Sequence, residues 1–143
     1  MSDASVFAVV VDDDPIILMN ACAIVEDAGF FALDATNVAE ALALFEAHGE
    51  AIALLFTDVQ MPGNRNGFEL AREVAKRWPE TTILVASGNR KPAAGELPEG
   101  GRFLGKPFSA ALVHETMLEL LPEGRAPSAL KVSRSGPPRD EDE

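Results

Sequence analysis

The chain has a single cysteine in 143 residues. Cys22 alone allows neither an intrachain disulfide nor a cysteine zinc cluster. Set among Ala21, Ala23 and Ile24, it reads as a small buried hydrophobe. Basic residues are also scarce, 12 Lys plus Arg against 23 Asp plus Glu, for a net charge of -11. No Lys/Arg cluster appears before the C-terminal tail. The expectation is a protein that binds neither nucleic acid nor an anionic membrane surface. No apolar run approaches the ~18 residues of a membrane-spanning helix. No signal-peptide pattern precedes Phe7, so the expected location is cytoplasmic. Internal repeats are missing too. Against these absences stands a hydrophobic content of 47%, enough for the core of one domain.

The chain is organised around Leu54-Leu55-Phe56-Thr57-Asp58-Val59-Gln60-Met61-Pro62. An apolar run of strand length ends in a carboxylate, and Pro62 disfavours helix at Met61. Asp58 is therefore placed at the carboxyl end of a buried strand. A lone aspartate there is more often a turn or cap residue. A second run, Val9-Val10-Val11-Asp12-Asp13-Asp14-Pro15, ends the same way and shifts the balance toward function.

Taken in order, residues 6–11 read as a first strand. Asp14 caps a helix with Pro15 at its first position, running to Ala28 before Gly29. Ile17, Ala21, Ile24 and Ala28 form its apolar stripe. A second strand covers 30–35. Asn37 caps the next helix, with Glu40 placed for a capping box, stripe residues Val38, Leu42 and Phe45, and Gly49 as terminator. The third strand spans 51–57 and a third helix 67–78, with Leu70, Ala71, Val74 and Trp78 inward and Pro79 as the stop. The fourth strand spans 82–86. Residues 89–101 carry Pro92, Gly95, Pro98, Gly100 and Gly101, so at most one or two helical turns are expected there. A fifth strand covers 102–104. A final helix covers 109–121, with Val113, Met117 and Leu120 on one face. Residues 122–143 read as a disordered tail after a domain of residues 1–121. This alternation predicts an α/β fold: a doubly wound, five-stranded parallel sheet of flavodoxin-like order 2-1-3-4-5, with a short or irregular fourth helix.

In that sheet the strand ends bring together Asp12, Asp13, Asp58, Ser87 and Lys106. Three carboxylates repel one another, and a divalent oxygen-seeking cation relieves the repulsion. Mg²⁺ takes one or two protein carboxylates and keeps several waters. Asp13 and Asp58 are the expected direct ligands, with a backbone carbonyl just after Asp58, while Asp12 acts through water. Ser87 and Lys106 supply a hydroxyl and an ammonium for phosphoryl oxygens. Asp58 becomes a carboxylate nucleophile that forms an aspartyl phosphate. Singly, each residue has a bland reading: Ser87 a turn residue, Lys106 a surface charge, Asp12 to Asp14 a cap with spare acids.

The same residues carry a resemblance. Val11-Asp12-Asp13-Asp14-Pro15, Asp58-Val59-Gln60-Met61-Pro62, Gly67-Phe68-Glu69-Leu70, Ala86-Ser87-Gly88 and Phe103-Leu104-Gly105-Lys106-Pro107-Phe108 resemble the receiver domain of two-component response regulators, over about residues 7–121. The resemblance implies Asp58 as phosphoacceptor, Asp12 and Asp13 as the acid pair, the Gln60 backbone carbonyl as third metal ligand, Ser87 as switch hydroxyl and Lys106 as the phosphate-contacting lysine. Phe103 matches the aromatic switch position but has no hydroxyl. Family members usually have a cis peptide before the proline matched by Pro107, an isomer that proline makes accessible. The stretch from Asp58 to Gly67 is one residue longer than the commonest spacing, and Arg65 stands where an apolar residue is usual.

The implied function is a stand-alone, Mg²⁺-dependent phosphorylation switch or phosphorelay intermediate, not an enzyme. Its expected partners are a histidine kinase or histidine phosphotransfer protein and an output protein whose identity stays open. A fragment of a larger regulator also stays open. One rival is an Mg²⁺-dependent phosphohydrolase with an aspartate nucleophile. Gln60 stands where that class commonly has its acid/base carboxylate. Another is a flavodoxin-like cofactor binder, but the acids after the first strand would repel an anion.

Overall fold

A computed structural model describes residues 6–61, 66–88 and 92–122. The polar lead 1–5, residues 62–65 with the Arg65 departure, residues 89–91 and the tail from 123 lie outside the described residues.

Five strands, β1 (Phe7–Val11), β2 (Phe31–Ala35), β3 (Ile52–Asp58), β4 (Thr82–Ser87) and β5 (Arg102–Gly105), form one sheet of order β2-β1-β3-β4-β5. Every pairing is parallel. Four helices occur among the described residues: α1 (Pro15–Asp27), α2 (Val38–His48), α3 (Gly67–Arg77) and α4 (Ala110–Leu120). The predicted sheet and its order are therefore those of the structure. A single 3-10 turn, Gly49–Ala51, leads into β3.

Strand periodicity assigns the two faces. Ala8 and Val10 of β1, with Leu54 and Phe56 of β3, join the core beneath α1 and α4. Val9, Val11 and Leu55 join the core beneath α2 and α3. Side chains alternate across a strand, so a strand covered on both faces must be apolar at nearly every position. That accounts for the unbroken runs in β1 and β3. Residues 52–57 are all buried, each large apolar side chain contributing roughly 1.5–3 kcal/mol.

The helix ends follow local chemistry. Asp14 caps α1, its Oδ1 accepting from the Ile16 and Ile17 amides at 2.9 and 3.3 Å. In α1 the deepest side chains are Leu18, Ala21, Ile24 and Val25, whereas Ile17 is half-buried. Asn37 caps α2 through the Glu40 amide at 2.8 Å. Glu40 does not close the expected box. Its carboxylate accepts from the amide and hydroxyl of Thr36, one residue further back, at 2.8 and 2.9 Å. Those bonds hold the Glu40 carboxyl below its ordinary range. A complete box caps α3 instead, with Asn66 Oδ1 accepting from the Glu69 amide and Glu69 Oε1 from the Asn66 amide.

Between β4 and β5, residues 92–101 contain turns and no helix. Gly95 and Gly100 adopt φ of 84° and 86°, conformations closed to most residues, and Pro92 and Pro98 lack amide donors. The fourth crossover is irregular as expected, and its described residues have none of the one or two helical turns allowed for it. Leu97 packs on the core shared with α3. Cys22 is half-buried rather than buried, and burial, with the charges of Asp34 and Glu26 adding, pushes its thiol up to about 11. Among the described residues no helix is long and apolar enough to cross a membrane.

Candidate functional site

The three acids after β1 have separate tasks. Asp14 is used by the α1 cap. Asp13 is exposed. Asp12 is buried, its amide donating to the Ala35 carbonyl at 3.1 Å. Asp12 Oδ1 accepts from the Asp14 amide at 2.9 Å, and Oδ2 accepts from Lys106 Nζ at 3.0 Å.

Asp58 ends β3, beside Ala86 of β4. Its side chain is 10% exposed, and Oδ1 accepts from Lys106 Nζ at 2.9 Å. Burial pushes the Asp58 carboxyl above its ordinary range, and the charge of Asp12 adds to the push; the Lys106 hydrogen bond offsets only part of it. For Lys106, burial opposes the charge, but hydrogen bonds to Asp58 and Asp12 outweigh it and hold the ammonium above its usual pKa.

Lys106 reaches both carboxylates because the sheet delivers it there. Ser87 pairs in register with Gly105, and the Lys106 amide donates to the Ser87 carbonyl at 3.1 Å. The Lys106–Pro107 peptide is cis. Ser87 is buried at the end of β4. Phe103 pairs with Val85 and packs into the core on the α3 side. Since Val85 lies in that same core, the period of two puts Ser87 and Phe103 toward one face. Gln60 is exposed, two residues beyond Asp58.

Asp12, Asp13 and Asp58 each offer a carboxylate oxygen, all within 4.8 Å of one another. Three carboxylates and one ammonium leave two negative charges. This all-oxygen set, one member exposed, suits a hard divalent cation that keeps several waters.

Two further residues shape the site without having been given a role in it from sequence. The Thr57 hydroxyl donates to the Asp58 carbonyl oxygen at 2.8 Å. Gly67 lies against the same backbone, its amide donating to the Val59 carbonyl at 2.7 Å. A Cβ at Gly67 would stand 1.9 Å from the Asp58 carbonyl oxygen, closer than atoms can approach. A glycine at a helix start is legible in sequence; this crowding across eight intervening positions is not.

Comparison with known proteins agrees with this arrangement. The family model for the response regulator receiver domain matches residues 8–117. The sensor kinase CckA of Brucella abortus is 30% identical over 120 residues, 82% of this chain and 13% of the kinase. The nitrogen assimilation regulatory protein NtrX of Azorhizobium caulinodans is 33% identical over 119 residues, 78% of this chain and 26% of that protein. The chain thus spans about an eighth and a quarter of the length of these two relatives. The crystal structure of the NtrX receiver domain from Brucella abortus superposes with a TM-score of 0.66 at 32% identity, covering 78% of this chain and 98% of that one.

Proposed function

The chain belongs to the response regulator receiver domain family, and we propose that it takes a phosphoryl group onto Asp58 and thereby switches a partner-binding surface. The donor is a phosphohistidine on a histidine kinase or a histidine phosphotransfer protein. A carboxylate oxygen of Asp58 attacks phosphorus and the P–N bond breaks. The electron pair stays on the imidazole nitrogen, which takes a proton from solvent. The single observation that carries this reading is Lys106 Nζ held between Asp12 and Asp58 at the strand ends. This contact supports reading Asp58 as a nucleophilic carboxylate and Lys106 as a phosphate-binding ammonium.

Each residue has a task in it. Asp58 is nearly enclosed, which limits water around the reacting oxygen. Lys106 supplies a charged donor for one phosphoryl oxygen, and Ser87 a hydroxyl for another. Asp13, Asp58 and the Gln60 backbone carbonyl, with Asp12 through water, would hold Mg²⁺, which would supply positive charge for the phosphoryl oxygens. We read the protein as a signalling module and not an enzyme acting on small phosphoesters. Residues 1–121 form the receiver unit and 122–143 a tail.

The output surface in this reading is segment 89–101, of which 92–101 are among the described residues, with β5 and the face of α4. The segment joins Ser87 to the strand that carries Phe103, and its glycine-and-proline turns have low local stability. A coupling of about 1–3 kcal/mol, ordinary for allostery, is enough to reorder it.

Intact mass after incubation with acetyl phosphate and Mg²⁺ tests the proposal. The parent should gain one phosphate, and Asp58→Asn none. Equal labelling of that variant would overturn the assignment.

A further inference from the structure

Helix α3 touches the site at one end and segment 92–101 part-way along. At its start, Gly67 is wedged against the Asp58–Val59 backbone. The Asn66–Glu69 box fixes the first turn, and Phe68, Leu70, Ala71 and Val74 seat the helix in the core. Five residues after Gly67, roughly 7–8 Å along the axis, Arg72 Nη1 donates to the Glu96 carbonyl at 2.8 Å. Glu96 in turn organises the segment: its Oε1 accepts from the Ala93 amide at 2.9 Å, and its own amide donates to the Ala93 carbonyl at 3.0 Å. A displacement of the Asp58–Val59 backbone has no free volume at Gly67 to be absorbed in. The end of a capped, well-packed helix lies against it, and Arg72 joins that helix to Glu96.

We propose that α3 is a second line of communication from Asp58 to segment 92–101, entering at Gly67 and leaving through Arg72, separate from the route through Ser87 and Phe103. This rests on Asp58 being the phosphoacceptor. Arg72 is then a positioning residue: it is exposed, touches none of the acidic residues of the site by the contacts described, and acts through the Glu96 carbonyl.

The experiment is hydrogen exchange across 92–101 in the full chain, with and without acetyl phosphate and Mg²⁺, for the parent, Arg72→Ala, Arg72→Lys, Ser87→Ala and the double alanine variant. Intact mass on each sample reports phosphate uptake separately. Phosphate uptake by Arg72→Ala should equal that of the parent. Loss of one exposed hydrogen bond should speed exchange in the segment by about threefold. The decisive quantity is the phosphorylation-dependent change in exchange. It should fall by roughly half in Arg72→Ala, as for one of two parallel routes. Arg72→Lys should restore part of it, and the double variant should abolish it. A purely structural role would raise exchange equally in both states and leave that change at the parent's size. That result would overturn the proposal. A parent that gains no phosphate would instead overturn the receiver function itself.

Discussion

Two crossovers leave the same site and differ in almost every physical respect. The one from β3 to β4 contains α3, closed by a capping box and buried through Phe68, Leu70, Ala71 and Val74. The one from β4 to β5 has turns in its described part, with two glycines at positive φ and two prolines. The first holds the Asp58 backbone in place at Gly67. The second begins after Ser87 and ends at the strand of Phe103. The difference teaches how unevenly a small domain distributes its buried surface: the crossover that holds the Asp58 backbone has a large buried face, and the described part of the other has turns in place of a helix.

The comparison can be broken at its most crowded point. Gly67→Ala puts a Cβ against the Asp58 carbonyl and should cost about 3 kcal/mol in urea unfolding. Gly95→Ala, in open space at φ 84°, meets backbone strain alone and should cost about 1 kcal/mol. Equal costs would show that the two crossovers are equally constrained. Lys106→Ala comes next, leaving Asp12 and Asp58 without their cation. We expect a loss of about 2 kcal/mol, below that of a fully buried pair because Lys106 is partly exposed. Added Mg²⁺ should return part of that loss if the acids bind it, and calorimetry with and without the ion reads this directly. Asn66→Ala should lose about 1 kcal/mol by opening the α3 box.

The smallest effect is the pH dependence of Asp58→Asn. Burial raises the Asp58 carboxyl in the folded state, so the folded chain holds that proton to higher pH than the unfolded chain does. The metal-free parent therefore loses stability as pH rises from the ordinary aspartate range through the raised value. The loss is complete above it. Asp58→Asn lacks this term and should be the more stable of the two at neutral pH, with the gap closing as pH falls. The gap is small because the Lys106 hydrogen bond offsets part of the burial cost. Thermal melts of both proteins across acidic to neutral pH, without Mg²⁺, check the sign.

Much of the fold, and the meeting of Asp12, Asp13, Asp58 and Lys106 at one edge, were legible in the sequence for identifiable reasons. Runs such as Val9-Val10-Val11 and Leu54-Leu55-Phe56 are buried on both faces, so they announce parallel strands, and the acids ending them fall at the carboxyl edge of the sheet. Asp14 and Asn37 cap their helices as short polar residues before apolar runs do, whereas Ser109, read as the first residue of the last helix, is its cap. Long-range geometry was not legible. Nothing local shows that Glu40 prefers Thr36 to Asn37, that Gly67 meets the Asp58 carbonyl, or that Arg72 reaches Glu96, 24 residues away. Such contacts depend on how crossovers lie on the sheet, which periodicity and capping do not encode.

The central claim is that one carboxylate, Asp58, receives the phosphoryl group. Borohydride reduction of the protein after treatment with acetyl phosphate and Mg²⁺, followed by peptide mapping, tests it most directly. An acyl phosphate is reduced to the alcohol, so a phosphorylated aspartate becomes homoserine. The account predicts homoserine at position 58 and nowhere else. Homoserine at Asp12 or Asp13, or a phosphate that survives reduction as an ester on a hydroxyl side chain, would contradict it.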